Sequence, residues 1–256
     1  MKLKVIGSSS AGNCYILKPE LGKALVLEAG VKLDELGKAI GAYQWSKIAG
    51  VLLTHEHGDH AGHVQDFQSR GLKVYATHAT AKKLDNPRIT PLELISGEKK
   101  NFTVGDFKIR WFDVNHDAVH PVGYFISHKE MGTLLFITDT AEIRNRFKGV
   151  NHLMIEANYD PDDERFNNLS ESHINRVILS HLSIKQADDF IANNLQDPQQ
   201  LVSVTLIHLS SRHANREEFR KRIERTLRTR HGSSARVEVA TPWLVTELQQ
   251  YKSPNF

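Results

Sequence analysis

Residues 51–63 read VLLTHEHGDHAGH, and this stretch decides which fold the chain is expected to adopt. An apolar run typical of a buried β-strand ends where four metal-binding side chains begin. His55 and His57 are two positions apart, so in an extended segment their side chains point the same way. Asp59 and His60 would then begin a helix and diverge toward a neighbouring point. Burying four such groups without a metal or a full hydrogen-bond set is costly, so the stretch predicts a site for two metal ions.

Composition limits the classes of protein to consider. The 256 residues are 40% hydrophobic and 25% charged, with a net charge of +3, which is typical of a soluble globular protein. No stretch approaches the roughly 20 apolar residues of a membrane span. One cysteine, Cys14, excludes an internal disulfide and favours a cytoplasmic setting, and fourteen histidines favour imidazole and carboxylate as metal ligands. We found no internal repeat or linker, and therefore expect a single domain over residues 1–256.

Strand and helix patterns alternate along the whole chain. Short β-type runs such as ALVLEAG, FKIRWFDV and GTLLFITDT lie between amphipathic segments. Helices are predicted at about 170–179, 184–195 and 215–229, a turn at 104–106, and a capping box in SIKQ at 183–186. This alternation predicts an α/β sandwich with buried sheets.

Further metal-binding side chains follow other predicted strands. RWFDVNHDA contains His116, LLFITDT contains Asp139, and VTLIHLSSR contains His208. Each follows an apolar strand at its exit, where a sheet holds functional groups in fixed positions. His63 and His120, in contrast, are expected to be exposed or to lie behind the ligands.

The ordered set resembles the metallo-β-lactamase-fold hydrolases, whose signature is HxHxDH followed by a lone His, a lone Asp and a final His. The resemblance covers nearly the whole chain and implies a four-layer αβ/βα sandwich with a dinuclear metal site at one edge. It assigns one ion to His55, His57 and His116, and the other to Asp59, His60 and His208, with Asp139 bridging. Glu28 departs from the pattern, because that early strand usually ends in an aspartate that supports the loop.

A finer resemblance is to the YycJ/WalJ-type branch, through GSSSAGNCYIL, VNHDAVHPVGY and IHLSSRHAN. That branch is associated with five-prime DNA exonuclease activity. The chain also resembles ribonuclease Z, in which a histidine upstream of the last ligand donates a proton. His181 occupies that place, although Ser180 stands where glycine is usual, and its alternative role is that of a loop histidine before a helix. The interval from Asp139 to His208 has no room for the inserted domain of the β-CASP nucleases.

Three residues directly after the last ligand are candidates for binding substrate phosphate. Ser210 and Ser211 offer hydroxyl groups, and Arg212 offers a guanidinium that can grip phosphate through two hydrogen bonds. Because these groups can bind phosphate, the run favours phosphodiesters over carbon esters as substrates. The basic segment NREEFRKRIERTLRTR could be a track for the phosphate backbone, but a solvated face with partial pairing to its own glutamates is the favoured interpretation.

The sequence therefore predicts a dinuclear-metal-dependent phosphodiesterase, with Asp59 and His181 as catalytic residues. A hydroxide shared by two divalent ions, zinc first and Mn²⁺ or Fe²⁺ as alternatives, would attack phosphorus. DNA is the expected partner, no membrane partner is expected, and the oligomeric state is left open, with a homodimer as one option. Hydrolysis of a small ester, lactone, thioester or cyclic phosphate is the alternative activity. A redox diiron protein is disfavoured because His57 is present, and a non-catalytic DNA-binding relic because all seven ligand positions are filled.

Overall fold

The structure, a computed structural model, describes residues 1–41, 44–97 and 100–251. Within them the strands are β1 (Lys2–Ser9), β2 (Gly12–Lys18), β3 (Ala24–Leu27), β4 (Ile48–Leu52), β5 (Val74–Ala76), β6 (Thr90–Pro91), β7 (Asn101–Val104), β8 (Phe107–Asp113), β9 (Val122–His128), β10 (Gly132–Ile137), β11 (His152–Glu156), β12 (Ser203–Ile207), β13 (Arg236–Val239) and β14 (Val245–Glu247). The α-helices are α1 (Leu33–Ile40), α2 (Gly58–Ala61), α3 (Val64–Ser69), α4 (His78–Lys83), α5 (Leu92–Ser96), α6 (Glu164–Asn167), α7 (Glu171–Ser180), α8 (Ile184–Asn193) and α9 (Arg216–His231). No helix of the described ranges is both long enough and apolar enough to cross a membrane.

Backbone contacts divide the chain into two compact units. Unit 1 is formed from the described residues of Met1–Asp113, Ala118–Glu130 and Thr241–Leu248, and unit 2 from those of Val114–Asp117, Met131–Ala240 and Gln249–Phe256. The expectation of one domain over residues 1–256 stays a prediction.

Unit 1 contains a mixed sheet with the strand order β14-β1-β2-β3-β4-β5-β6. The strands β1 to β3 pair antiparallel, whereas β3 to β6 pair parallel. The strands β3 and β4 are short apolar runs that are almost entirely buried, and side chains such as Val51, Leu36 and Phe67 pack in the same core. Because β3 and β4 are parallel, the segments that follow them, beginning at Glu28 and Leu53, leave the same edge of the sheet.

The remaining strands of unit 1, β7 to β9, form an antiparallel meander. The turn predicted at 104–106 is confirmed, since β7 ends at Val104 and β8 begins at Phe107. Gly105 has a φ of 58°, a left-handed conformation that glycine adopts without the steric cost of a Cβ atom.

Unit 2 contains the parallel strands β10 to β13, which lie side by side in chain order. Their carboxyl ends meet at one edge, with Ile137 opposite Ile155 and Glu156 opposite Ile207. The three predicted helices of this region are confirmed with small differences at their ends, as α7, α8 and α9. The predicted capping box is also present, between Ser183 and Gln186 at the start of α8.

His152, the first residue of β11, makes the stability of unit 2 depend on pH. Its ring is buried, with Nδ1 2.8 Å from Ser203 Oγ and Nε2 2.9 Å from the carbonyl oxygen of Gln249. Burial lowers the pKa of His152 from 6.5 to about 4, although hydrogen bonds to the backbone at Gln249 and Met131 act in the opposite direction. The folded state therefore holds this imidazole neutral at pH values where the unfolded chain binds a proton.

We expect the free energy of unfolding to fall as the pH drops from about 6.5 to about 4. The folded pKa lies below the unfolded one, so the contribution of His152 is complete above pH 6.5 and is lost through this window, by about 3 kcal/mol in total. Urea denaturation in EDTA across these pH values would show it, and His152→Gln should flatten the profile. His173→Gln, at an exposed histidine of α7, is the control. An equal acid slope in wild type and His152→Gln would contradict the assignment.

Candidate metal centre

The segment after β4 places the first two predicted ligands of unit 1 side by side. His55 is buried, and its Nε2 lies 3.1 Å from Nδ1 of His57. On the other side of the ring, Nδ1 of His55 lies 2.9 Å from Oγ1 of Thr54. If that Nδ1 donates its proton to Thr54, Nε2 presents a lone pair toward His57, as a metal-binding imidazole does.

Asp59 and His60 form the second pair of unit 1, within α2, as the sequence predicts. His60 is fully buried, and its Nε2 lies 3.4 Å from Oδ2 of Asp59. Its Nδ1 faces Oε1 of Glu28 at 3.5 Å, while Oε2 of Glu28 accepts a hydrogen bond from the backbone of Thr54. Glu28 thus contacts both the helix and the loop that carry the candidate ligands, which is the supporting role expected of the usual aspartate.

Asn13 contacts both side chains of this pair, although no sequence pattern predicted its contacts. It belongs to GSSSAGNCYIL, one of the stretches that carry the finer family resemblance. Its buried amide nitrogen lies 3.3 Å from Oδ2 of Asp59 and 3.2 Å from Nε2 of His60. The hydroxyl of Tyr15 donates to Oδ1 of Asn13, which orients the amide so that its N–H groups face the aspartate.

The other predicted ligands, all in unit 2, also lie close to one another. The side chain of His116 is 2% exposed, and its Nδ1 donates a hydrogen bond of 2.8 Å to the carbonyl oxygen of Ser180. Its Nε2 lies 3.6 Å from Oδ2 of Asp139. Oδ1 of Asp139 in turn lies 3.0 Å from Nδ1 of His208. Burial lowers the pKa of His116, with the Asp139 carboxylate acting against it, and so favours the neutral ring that can bind a metal.

The backbone at these exits is unusual. Asp139 has a φ of 46° and His208 a φ of 53°, and Glu28 in unit 1 has a φ of 67°. Non-glycine residues adopt this left-handed region at an energetic cost and are enriched where a surrounding structure holds a functional side chain in place. At these strand ends the structure therefore holds the side chains in place although the backbone conformation is unfavourable for residues other than glycine.

Glu156 is a central residue of unit 2 that the sequence analysis missed. It ends β11 and is fully buried, with Oε1 2.7 Å from Nδ1 of His181 and 2.9 Å from Nδ1 of His208. Its Oε2 accepts hydrogen bonds from the backbone of Thr140 and Leu182. One ligand atom from each of Asp139, Glu156, His181 and His208 lies within 4.8 Å of the others. The run HLMIE follows the rule of an apolar strand ending in a ligand-type residue, which is the signal that could have identified Glu156.

The contact between His181 and Glu156 shifts the pKa values of both side chains. Burial alone would lower the pKa of His181, but the Glu156 carboxylate outweighs it, so this pKa lies above its ordinary value. Burial would likewise raise the pKa of Glu156, but His181 lowers it below its usual range. His181 therefore tends to carry a proton that Glu156 holds in place.

The predicted phosphate-binding residues lie on the turn that follows His208. Ser210 Oγ accepts hydrogen bonds from the backbone nitrogens of Arg212 and His213, at 3.3 and 3.2 Å, and so shapes the turn. Ser211 and Arg212 are exposed, and the guanidinium of Arg212 has no ion pair with any residue that the structure describes. Their contact with substrate stays a prediction.

The basic helix α9 has a mixed surface. Arg220 pairs with Glu217 and Glu224, and Arg222 pairs with Asp188 at 2.9 Å. This is the partial pairing expected of a solvated face. The other candidate histidines also have acidic neighbours: Nδ1 of His63 lies 3.1 Å from Asp66, and Nε2 of His120 lies 3.0 Å from Asp113.

Comparison with known proteins identifies the family. Residues 38–208, more than half of the chain, match the model of the β-lactamase superfamily domain. The chain is 28% identical to exodeoxyribonuclease YycJ of Bacillus anthracis, over 97% of this chain and 98% of that one. It is 27% identical to exodeoxyribonuclease WalJ of Streptococcus pneumoniae, over 82% and 81% of the two chains.

Solved structures share the fold. The metallo-β-lactamase-fold protein YhfI of Bacillus subtilis has a TM-score of 0.70 at 18% identity, over 96% of this chain and 99% of that one. Zn²⁺-bound PqqB of Methylobacterium extorquens has a TM-score of 0.68 at 16% identity, over 97% and 100%. The predicted α/β sandwich is thus confirmed, and so is the prediction of a metal-dependent hydrolase. The chain belongs to the β-lactamase superfamily and has the metallo-β-lactamase fold.

Proposed function

We propose that this protein is a dinuclear-metal-dependent phosphodiesterase that degrades nucleic acid, in the manner of a DNA exonuclease. The observation that carries the proposal is the pair of imidazole and carboxylate clusters, one on each unit. In the first, two imidazole nitrogens of His55 and His57 lie 3.1 Å apart. Two lone pairs at that distance repel each other unless a proton or a cation lies between them. The second cluster contains the acidic and imidazole donors around Asp139.

The donor set fits zinc better than harder or softer ions. Zn²⁺ accepts imidazole and carboxylate ligands, and thiolate ligands are excluded because Cys14 is buried in the core of unit 1. We assign one ion to His55, His57 and His116, and the other to Asp59, His60 and His208, with Asp139 shared. When bound, two divalent ions supply Lewis acidity at the phosphate and lower the pKa of water toward neutrality.

The residues of this chain would supply the proton transfers. The deoxyribose alkoxide that leaves a phosphodiester needs a proton, and His181 is the candidate donor because Glu156 holds its Nδ1 at 2.7 Å. With Nδ1 held in this way, Nε2 is the ring nitrogen of His181 that would donate the proton. Asp59 would act both as a metal ligand and as a catalytic carboxylate, and Asn13 donates a hydrogen bond to its Oδ2.

Substrate phosphate would be bound by the turn after His208. Arg212 is exposed and can donate two hydrogen bonds to a phosphate, while Ser210 and Ser211 add hydroxyl groups nearby. DNA is favoured as the substrate by the two relatives named exodeoxyribonuclease, whose similarity covers most of this chain. A chain with one buried cysteine suits the cytoplasm, where such a substrate is found.

The proposal is tested with purified protein whose metal content has been measured. Single-stranded and duplex DNA and RNA, labelled at either end, would be incubated with Zn²⁺, with Mn²⁺ or with EDTA. We expect metal-dependent degradation of DNA, with release of mononucleotides from one end. A panel of lactones, thioesters, small esters and cyclic phosphates runs in parallel. Turnover in that panel without cleavage of any oligonucleotide would replace the proposal with the small-substrate alternative.

A further inference from the structure

Unit 1 carries a second candidate binding site, a groove of about 600 Å³ that contains none of the predicted metal ligands. It lies at the edge of the sheet where the parallel strands begin: Lys23 precedes β3, Ile48 begins β4, and Lys73 precedes β5. The metal-binding segment leaves the opposite edge, after the same strands end. Ile48 lies seven positions before His55, about 23 Å along an extended strand, whereas Tyr75, which also lines the groove, pairs with Leu52 and lies nearer to the candidate ligands.

The charge of the groove is one-sided. Lys23, Arg70 and Lys73 line it and are exposed, and none of the three has an ion pair with another residue of the described chain. None of the lining residues that the structure describes carries a carboxylate. In the antiparallel pair of β7 and β8, Lys108 lies directly opposite Thr103, a further lining residue, so that it adds a cation on the same face. Such a surface complements an anion with several charges.

Two aromatic rings line the same groove. Tyr75 and Trp45 are both partly exposed. The Tyr75 ring lies against the backbone of β4, because a Cβ atom at Gly50 would be only 2.6 Å from its Cε2 atom. Phe102 packs on the Tyr75 ring, with the ring centres 6.1 Å apart. The Tyr75 ring is therefore held between Gly50 and Phe102, is partly exposed, and lines the groove.

We propose that this groove binds nucleotides of a single-stranded nucleic acid, with phosphates at the lysines and arginine and a base stacked on an aromatic ring. Sites of this class combine a basic track with aromatic platforms. A volume of about 600 Å³ also lies in the range of pockets that enclose a small organic ligand. A bare phosphate would need the cations but not the rings. The inference takes its choice of DNA from the proposed function, and it places a strand-holding site away from the point of cleavage.

Binding is measured by fluorescence anisotropy with a short labelled oligothymidylate, in EDTA, so that no strand is cut. We expect Lys73→Glu to weaken the affinity about 10-fold and to lower the salt dependence by roughly 0.7 per lost phosphate contact. Trp45→Leu or Tyr75→Leu should weaken it about 5- to 100-fold, as loss of a stacked base does. Lys148→Glu, the same charge change at an exposed lysine of unit 2, is the matched control and should change affinity less than about 2-fold.

Several outcomes would overturn the proposal. Equal weakening by Lys73→Glu and Lys148→Glu would indicate diffuse attraction, and full affinity in both aromatic variants would indicate an anion site only. Absence of binding by wild type would also exclude it. Inorganic triphosphate is added as a competitor, and displacement of the oligothymidylate as effective as that by a nucleotide would indicate that the groove binds phosphate alone. Binding of labelled oligouridylate is measured in the same way to compare RNA with DNA. Since Lys73 is exposed, circular dichroism should show Lys73→Glu folded like wild type.

Hydrolysis of bis(p-nitrophenyl) phosphate separates this inference from the proposed function. That small diester does not need the groove, so Lys73→Glu should hydrolyse it at the wild-type rate. If wild type cleaves no diester with any metal, but Lys73→Glu and Trp45→Leu still lose oligonucleotide binding, the proposed function fails and the groove stands. If cleavage is confirmed but the groove variants bind the oligonucleotide normally, the proposed function stands and the groove proposal fails.

Discussion

The Asp139→Asn variant is expected to lose roughly 1000-fold or more of its phosphodiesterase activity, together with bound metal. Both carboxylate oxygens of Asp139 face imidazoles of the proposed centre: Oδ1 lies 3.0 Å from His208 and Oδ2 lies 3.6 Å from His116. A carboxamide replaces one of those oxygens with an NH₂ group and removes the charge, so it cannot be shared by two cations. Metal analysis and DNA cleavage rates would measure both losses.

The substitution is conservative for the fold, which makes the result interpretable. Asparagine tolerates the left-handed backbone of residue 139, whose φ is 46°, better than almost any other non-glycine residue. Asp162→Asn, at an exposed aspartate of the same unit, is the control and should keep full activity. Two bound metals and activity within about 10-fold of wild type in Asp139→Asn would exclude a shared ligand at this position.

The closeness of the candidate ligands of unit 1 could be predicted from the sequence because their spacing reflects local geometry. Alternation by two places His55 and His57 on one side, and the helix that begins at Gly58 carries Asp59 and His60. No contact between distant parts of the chain is needed to bring these four side chains together. The arrangement of these four side chains can therefore be predicted from residues that are neighbours along the chain.

Glu156 shows where this kind of prediction stops. A glutamate at the end of a strand is common, and its partners His181 and His208 are 25 and 52 residues away along the chain. Only the parallel register of β10, β11 and β12 places the three strand exits at one edge. Asn13 was missed for the same reason, since its amide meets Asp59 across 46 residues of chain. Contacts that depend on sheet register leave little trace in local sequence.

His181 tests the proposed chemistry through its dependence on the leaving group. We expect His181→Ala to slow DNA cleavage about 10²- to 10⁴-fold, because the deoxyribose alkoxide must then leave without a proton. A p-nitrophenyl ester of thymidine phosphate needs no such proton, so its hydrolysis should fall by less than about 10-fold. The effect should appear in kcat and leave KM nearly unchanged, since a proton donor acts in the transition state.

Two further variants serve as comparisons for His181→Ala. Glu156→Gln should slow both substrates, because Glu156 Oε1 contacts the proposed ligand His208 at 2.9 Å as well as His181. His173→Ala, at an exposed position of α7, should affect neither. Equal losses on both substrates in His181→Ala would mean that this side chain shapes the site or binds phosphate and does not donate a proton. A loss on DNA alone that falls on kcat would support His181 as the proton donor, because p-nitrophenolate leaves without a proton and the deoxyribose alkoxide does not.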